Sequence, residues 1–236
     1  MKLVLFDLDG TLIAFRKPVK HESPGDENKW THAIRTVFHK NADINFDYDG
    51  RLDKQILWMA TEPLGISKKE FNEKLPLLQH AMYAYYVRHG KNKKPYAIDG
   101  AQRLISFIKQ RDDIVFGLLT GNITEIALWK LRTCGYDGQF TFGLFGEEAD
   151  DRIALAQSVF QQANEYFHRE FSPQNVVVIG DTLHDIRCGK AIGAYTIGVT
   201  QKGKDQQDIL EKEGADLVVD SLMDQKVLDF LKVNPV

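Results

Sequence analysis

Short runs of apolar residues along the chain predict buried β-strands. Five such runs occupy residues 3–6, 114–119, 176–179, 194–199 and, with a weaker pattern, 216–219. Each run is continuously apolar instead of alternating between apolar and polar positions. A continuous run is typical of a strand that is covered on both faces, as the strands of a parallel sheet are.

Between these runs, apolar residues recur at the spacing of a helix. The stripes are Ala101, Leu104, Ile105 and Ile108; Ile123, Ile126, Ala127, Leu131 and Cys134; and Ile153, Ala156, Phe160, Ala163 and Phe167. Within each set the side chains share one helix face. The alternation of strands and helices from about residue 97 onward predicts an α/β fold, a Rossmann-like, doubly wound parallel sheet with helices on both faces.

Residues 16–94 break this alternation, because their apolar stripes are all helical. The stripes lie within residues 30–37, 56–60 and 71–87. The pattern Ser67-x-x-Glu70 predicts a capping box at the start of the third helix. Pro76 is expected to divide that stretch into two helices, because proline interrupts helical hydrogen bonding.

This insert separates the first strand from its αβ partners. Polar stretches at residues 16–26 and 91–94 flank it. We therefore predict two domains. They are a discontinuous α/β core of residues 1–15 and 95–236 and an inserted all-helical domain of residues 16–94.

Composition narrows the class of protein. The 236 residues include 30 Lys and Arg against 33 Asp and Glu, for a formal net charge of −3, so no overall basic field points to nucleic acid or an acidic membrane. The two cysteines, Cys134 and Cys188, lie far apart and indicate neither a disulfide framework nor a zinc site. No apolar run approaches the roughly 18 residues of a membrane span, and no signal peptide is indicated, so we expect a cytoplasmic protein.

Three polar motifs directly follow three of the predicted strands. They are Asp7-Leu8-Asp9-Gly10-Thr11, Thr120-Gly121-Asn122 and Gly180-Asp181-Thr182-Leu183-His184-Asp185. Each motif alone could be an ordinary turn or helix cap. In an open parallel sheet, however, the carboxyl ends of the strands form the ligand crevice, so the ordered set favours one shared site.

Four carboxylates in these motifs indicate a metal ion. Asp7 and Asp9 are two residues apart in extended chain, so their side chains leave the same side of the backbone. Carboxylates this close repel and raise each other's pKa unless a cation lies between them. Asp181 and Asp185, four apart at a helix start, would complete a set of hard oxygen ligands, which suits Mg²⁺ and its habit of sharing a site with phosphate.

The second motif indicates an anion site. Thr120 offers a hydroxyl, and the amides that follow it open the helix from Ile123, whose N-terminus would attract an anion. A cation, an anion site and a carboxylate able to attack together describe phosphoryl transfer through an aspartyl-phosphate.

The ordered motifs resemble those of the haloacid dehalogenase superfamily of hydrolases. The resemblance extends over nearly the whole predicted core, and the insert is similar to the helical C1 cap of that superfamily. Within the insert, the segment Gly50-Arg51-Leu52-Asp53-Lys54-Gln55-Ile56-Leu57 resembles the cap of phosphoglycolate-phosphatase-like and β-phosphoglucomutase-like members.

The resemblance implies roles for individual residues. Asp7 would be the nucleophile and Asp9 the general acid and base. Thr120, with the neighbouring Gly121 and Asn122, would hold the phosphoryl group. Mg²⁺ would be bound by the carboxylates of Asp7 and Asp181, the backbone carbonyl of Asp9, and Asp185 directly or through a water.

Two arginines, Arg152 and Arg51, each have two possible interpretations. The superfamily normally places a Lys between the second and fourth motifs, and here Arg152 is the candidate for that position, although it could instead pair with Asp150 or Asp151 at the surface. Lys130 is set aside because it lies in the middle of a helix, and Lys190 because it follows the fourth motif. Arg51 in the cap could bind a distal anion of the substrate or simply cap a helix.

These features predict a Mg²⁺-dependent phosphatase that acts on a small phosphorylated metabolite, as a monomer or homodimer. The alternative is a phosphomutase of the β-phosphoglucomutase type, which keeps both aspartates and a similar cap. A phosphorylated receiver-type signalling domain is disfavoured, because it carries its aspartate on a later strand and lacks an insert of this size. A non-catalytic binding module would not need Asp9.

Overall fold

The computed structural model describes residues 1–15, 28–89, 94–200 and 204–233. The strands are β1 (Lys2–Phe6), β2 (Ile13–Phe15), β3 (Pro95–Ala97), β4 (Ile114–Leu119), β5 (Gly143–Leu144), β6 (Val176–Gly180), β7 (Tyr195–Val199) and β8 (Leu217–Val219). The helices are α1 (Lys29–Phe38), α2 (Asp53–Thr61), α3 (Lys68–His89), α4 (Ala101–Ile108), α5 (Thr124–Thr133), α6 (Arg152–Gln157), α7 (Val159–Phe167), α8 (Leu183–Ala191), α9 (Lys204–Lys212) and α10 (Gln225–Leu231).

A six-stranded parallel sheet forms the core, in the order β5-β4-β1-β6-β7-β8. The chain begins in the middle of this sheet and builds outward in both directions. This arrangement confirms the predicted α/β fold, and all five predicted strands are present. The strand β1 is hydrogen-bonded to β4 on one side and to β6 on the other, so the three motif-bearing strands are neighbours.

Both faces of β1 are buried, which explains its continuous apolar run. Leu3 and Leu5 belong to a cluster with residues of α6, α7 and α8. Val4 and Phe6 belong to a second cluster on the opposite face, with residues of α4, α5 and α10. Because successive strand side chains point to opposite faces, a strand between two helix layers has to be apolar throughout.

The helices α1, α2 and α3 form a separate apolar cluster beside the sheet. It includes Ile34, Leu57 and Phe71, and it extends to Ile123 and Ile126 at the start of the core helix α5. The insert therefore packs on the core at α5. Most of the predicted polar linkers, at residues 16–26 and 91–93, lies outside the described residues, and the two domain boundaries stay a prediction.

The structure corrects the prediction for Pro76. The helix α3 runs unbroken from Lys68 to His89 with Pro76 inside it. Phe71 before the proline and Leu78 after it are both buried in the apolar cluster of the insert. This packing on both sides of Pro76 keeps the helix continuous although the proline cannot donate a helical hydrogen bond. At the start of α3, the amide of Glu70 donates to Ser67 Oγ at 3.2 Å, which is one half of the predicted capping box.

Other differences concern short elements. The strand β5 has two residues, and β2 and β3, of three residues each, form a small antiparallel pair. All three are too short to show a hydrophobic pattern in the sequence. The stripe predicted from Ile153 onward is divided into α6 and α7, and Ile153 itself is exposed. Within the described ranges, no helix combines enough length with enough apolar character to cross a bilayer.

Replacing Pro76 with Ala should stabilise the protein. Pro76 is exposed, so the change removes little packing, and alanine can restore the missing helical hydrogen bond. We expect the free energy of unfolding to rise by about 1 to 3 kcal/mol, measured by urea denaturation. Leu77→Ala, at the exposed neighbouring position, is the matched control and should change it little. A loss of stability in Pro76→Ala would contradict this account of α3.

Candidate active site

Three carboxylates converge where β1 and β6 end. Asp7 follows β1, Asp181 follows β6, and Asp185 lies in the first turn of α8. Each offers one oxygen, and these three oxygens lie within 4.8 Å of one another. All three residues are buried, so their charges are little screened by solvent.

Arg152 places a cation among these carboxylates. It is the first residue of α6, and its Nη2 donates to Asp7 Oδ1 at 2.9 Å and also to Asp185 Oδ1. Neither neighbouring acid pairs with it: Asp151 caps α6 by accepting from the Ala154 amide, and Asp150 pairs with lysines of the insert. The alternative of a surface pair therefore does not hold, and Arg152 instead contacts Asp7, the residue predicted to be the nucleophile.

One arginine does not balance the charge. Burial, and then the charge of Asp185, raise the pKa of Asp7 to about 7 despite the opposing effect of Arg152. Burial, together with Asp185 and Asp7, raises the pKa of Asp181 to about 8. The site thus holds more buried negative charge than its own side chains neutralise.

The residues present fit a divalent cation. Asp181 Oδ1 is buried and has no hydrogen-bond partner in the described part of the chain, which is the state expected of a metal ligand without its ion. Gly10 supports this ligand: its φ is +87°, and a Cβ there would lie 2.2 Å from Asp181 Oδ2. An all-carboxylate donor set is hard in character and suits Mg²⁺.

Asp185 is engaged on both oxygens. Its Oδ2 accepts from the Thr182 amide at 2.9 Å and from Thr182 Oγ1 at 2.7 Å, forming the capping box of α8. Its Oδ1 accepts from Arg152. Both oxygens of Asp185 are therefore already hydrogen-bonded, whereas Asp181 Oδ1 has no partner among the described residues.

Asp9 is held by a cation of its own. Its Oδ2 accepts from Lys130 Nζ at 2.5 Å and from Asn122 Nδ2 at 2.8 Å. Burial raises the pKa of Asp9. The charge and hydrogen bond of Lys130, the hydrogen bond of Asn122 and the charge of Lys29 together outweigh that effect and hold the pKa below its ordinary value.

Sequence reasoning missed Lys130, although the pattern contained a signal. Lys130 lies four residues after Ile126 and three after Ala127, on the apolar face of α5. A lysine on a buried stripe is uncommon unless it is paired. Here the side chain is 4% exposed, and its partner Asp9 comes from a different part of the chain.

The start of α5 differs from the expected anion site. The Ile123 amide donates to Asp53 Oδ2 at 3.1 Å, and the Thr124 amide donates to both oxygens of Glu147. Two side chains therefore already satisfy the amides that were expected to bind an anion. The Gly121 amide, just before them, has no acceptor among the described residues.

A cavity of about 180 Å³ lies between the core and the insert. Its walls include Asp7, Asp9, Gly121, Asn122, Arg152 and Thr182 from the core, and Lys29, Trp30, Tyr48, Asp49, Gly50, Arg51, Asp53 and Ile56 from the insert. Thr120, Asp181 and Asp185 are not among its lining residues. Thr120 is fully buried, and its Oγ1 accepts from Asn122 Nδ2 at 2.9 Å.

Arg51 lies at this cavity but is tied back to its own loop. Its Nε donates to the carbonyl of Asp47 at 2.7 Å. Arg51 lines the cavity, as the predicted contact with a substrate requires, but its Nε–H is already hydrogen-bonded within the insert.

Asp53 joins the insert to the core, a role the sequence did not reveal. Its carboxylate accepts from Lys29 and Trp30 of α1 and from the Ile123 amide, and its own amide donates to the carbonyl of Gly121 at 2.8 Å. An acidic residue in the first turn of a helix is ordinary, so no local signal marks it.

Backbones meet closely at this junction. A Cβ on Gly121 would lie 2.4 Å from the carbonyl oxygen of Arg51, and a Cβ on Gly146 would lie 2.0 Å from the carbonyl oxygen of Gly121. The loop 121–122 is therefore enclosed between the insert and the segment around Gly146, with no room for a side chain at either glycine.

One known protein family matches most of the chain. A family model described as haloacid dehalogenase-like hydrolase matches residues 1–193. No protein with a curated description matches the chain.

Solved structures with similar folds come from several bacteria. A β-phosphoglucomutase from Clostridium difficile gives a TM-score of 0.65 at 19% identity, over 98% of this chain and 96% of that one. A hydrolase from Pseudomonas syringae gives 0.64 at 18%, over 98% of each chain. A predicted phosphoglycolate phosphatase from Haemophilus somnus gives 0.61 at 18%, over 98% of this chain and 96% of that one. Identities this low show a shared fold only.

Without a divalent cation, the protein should lose stability as the pH rises. The folded pKa values of Asp7 and Asp181, about 7 and about 8, exceed the ordinary value of 3.8, so the unfolded chain releases these protons first. Stability from this source is present below about pH 4 and is lost as the pH rises toward 8.

Added Mg²⁺ should reverse that loss. We expect the rise in melting temperature on adding Mg²⁺ to be larger at about pH 8 than at about pH 5. Asp181→Asn should reduce both the pH dependence and the effect of the metal. An equal shift at both pH values would contradict the electrostatic account.

Asp53→Ala should loosen the junction between insert and core. The substitution removes a buried carboxylate that accepts three hydrogen bonds or ion pairs, so we expect a loss of about 2 to 3 kcal/mol in the free energy of unfolding. Amide hydrogen exchange should accelerate at residues 121–124 and in α1. Asp150→Ala removes an exposed carboxylate that also pairs with two lysines, and it should cost less than about 1 kcal/mol.

Proposed function

This chain belongs to the haloacid dehalogenase-like hydrolases, and we propose on that premise that it is a Mg²⁺-dependent phosphatase of a small phosphorylated metabolite. The observation that carries the proposal is the position of Asp7. It lies at the cavity, hydrogen-bonded to Arg152 and grouped with Asp181 and Asp185. A buried carboxylate with an adjacent cation and a candidate metal site can attack a phosphorus atom whose negative charge would otherwise repel it.

Asp7 would act as the nucleophile. One of its oxygens forms a bond to phosphorus while the bond from phosphorus to the ester oxygen breaks. Asp9 gives a proton to the departing oxygen and then takes one from the water that hydrolyses the aspartyl-phosphate. Both carboxylates line the same cavity, so one substrate can touch both.

Arg152 and the loop after β4 would hold the phosphoryl group. Arg152 can neutralise charge that shifts from Asp7 onto the phosphoryl oxygens. Gly121 and Asn122 both line the cavity, and the Gly121 amide, which has no acceptor among the described residues, is suited to donate to these oxygens. Thr120, which is buried behind them, would act through its hydrogen bond with Asn122 unless its side chain turns.

Asp7 and Asp181, with the backbone carbonyl of Asp9, would hold Mg²⁺. Asp185 would join through a water, because Thr182 and Arg152 already occupy its oxygens. When bound, the ion would supply positive charge to the phosphoryl group and remove the repulsion among the carboxylates.

The size of the cavity supports a small substrate. About 180 Å³ accommodates a phosphoryl group with a leaving group of a few carbon atoms. Trp30, Tyr48 and Arg51 from the insert would contact that leaving group, so the insert would determine specificity. The insert would also exclude water during phosphoryl transfer.

A phosphomutase remains the second candidate, because it would use the same residues. The solved structures similar in fold include a β-phosphoglucomutase as well as a phosphatase. The two activities differ in product: a phosphatase releases inorganic phosphate, and a phosphomutase returns an isomeric sugar phosphate.

The test is a screen of small phosphate esters, including sugar phosphates, with and without Mg²⁺. We expect phosphate release that depends on the metal and that falls by at least about 1,000-fold in Asp7→Asn. Asp137→Asn, an exposed aspartate, is the matched control and should retain full activity. Release that persists in Asp7→Asn would remove the nucleophile, and isomerisation without free phosphate would establish the phosphomutase.

A further inference from the structure

We propose that Lys130 is a positioning residue that holds Asp9 at the cavity for proton transfer. The proposal rests on the proposed function only for the chemical role of Asp9. The geometric part, that Lys130 holds Asp9 in place, stands on the structure alone.

Lys130, Asp9 and Asn122 form a closed set of hydrogen bonds. Lys130 Nζ donates to Asp9 Oδ2 at 2.5 Å and to Asn122 Oδ1 at 2.7 Å, and Asn122 Nδ2 donates to the same Asp9 Oδ2 at 2.8 Å. Two donors on one oxygen leave the carboxylate little freedom to rotate. Asp9 is thereby fixed from α5, an element of the rigid core.

Lys130 acts behind the cavity. Its side chain is 4% exposed, that of Asp9 is 38% exposed, and Asp9 but not Lys130 is among the lining residues in the described part of the chain. Any effect of Lys130 on a substrate therefore has to pass through Asp9 or Asn122. The cations Arg152 and Lys130 each bind a different aspartate: Arg152 binds Asp7, and Lys130 binds Asp9.

Two aromatic rings enclose the ammonium group. Lys130 Nζ lies 5.4 Å from the centre of the Phe15 ring and 5.5 Å from that of Tyr86. Phe15 is in β2 and Tyr86 is in α3, so the insert covers the lysine while the core supplies it. Lys130 thus contacts the insert through Tyr86 and Asp9 of the core through a hydrogen bond.

A purely structural purpose does not explain a lysine at this position. Burying an ammonium group is costly even when it is paired, and an apolar side chain of similar size would serve packing at least as well. Lys130 occupies the apolar face of α5, where Ile126 and Leu131 are buried. The free-energy cost of burying this ammonium group is explained if Lys130 aligns the Asp9 carboxylate.

The step affected is departure of the leaving group. A phosphate monoester bound as its monoanion brings a proton, which Asp9 accepts and passes to the ester oxygen as the bond from phosphorus to that oxygen breaks. The Asp9 carboxylate then stands beside Lys130 again. An alkoxide requires this proton, whereas acetate departs without one. Misplacing Asp9 should therefore slow alkyl esters selectively.

The experiment compares ethyl phosphate with acetyl phosphate, two substrates of similar size. In Lys130→Met, we expect kcat/KM for ethyl phosphate to fall by about 100-fold and for acetyl phosphate by less than about 5-fold. Asp9→Asn should show the same selectivity, and the double variant should be no slower than Asp9→Asn alone. Equal losses on both substrates, or none, would overturn the proposal.

Lys190→Met is the matched control, because Lys190 also pairs with an aspartate but at the surface. It should leave both rates unchanged. Thermal unfolding of each variant identifies any that fail to fold.

A crystal structure of Lys130→Met provides a readout that does not depend on turnover. We expect the Asp9 carboxylate to leave its contact with Asn122, and a carboxylate that stays in place would overturn the proposal. If the wild-type protein released phosphate from no ester in the screen while Asp9 moved in the variant, the proposed function would fail and the positioning role would stand.

Discussion

The repulsion among buried carboxylates at the ends of β1 and β6 is the constraint to which the rest of the site conforms. Asp7, Asp181 and Asp185 lie close together, and burial and the neighbouring carboxylates raise the pKa of Asp7 and of Asp181. Arg152 supplies part of the compensating charge, and Gly10 leaves room for the Asp181 carboxylate. Burial makes the uncompensated negative charge costly for the folded protein. The same burial strengthens the electrostatic interactions that a phosphoryl group would make in the site.

Much of the core could be predicted because its determinants are local. The continuous apolar run before Asp7 reflects a strand covered on both faces, and the motifs at Asp7, Thr120 and Asp181 follow strands that turn out to be neighbours. Sheet topology then brings together residues that are far apart along the chain. Arg152 could be identified as a candidate, but only the structure distinguishes its contact with Asp7 from a surface pair.

The rest depended on contacts between distant segments. Pro76 stays within α3 because Phe71 and Leu78 pack on either side of it, and no local rule includes that packing. The expected anion site at α5 is altered because Asp53, from the insert, accepts from the Ile123 amide. The contact between Asp53 and the Ile123 amide forms only in the folded chain, so a prediction made element by element from the sequence cannot include it.

The central place of β1 has a consequence for biosynthesis. β1 is made before both of its partners, β4 and β6, and Lys2 lies opposite Ile114. The nascent strand therefore waits on the ribosome for more than about 100 residues before either neighbour exists, with both apolar faces unpaired. The helices of the insert are completed in that interval, but part of their apolar cluster comes from Ile123 and Ile126 in α5. The apolar cluster of the insert is therefore complete only after α5 of the core has been made.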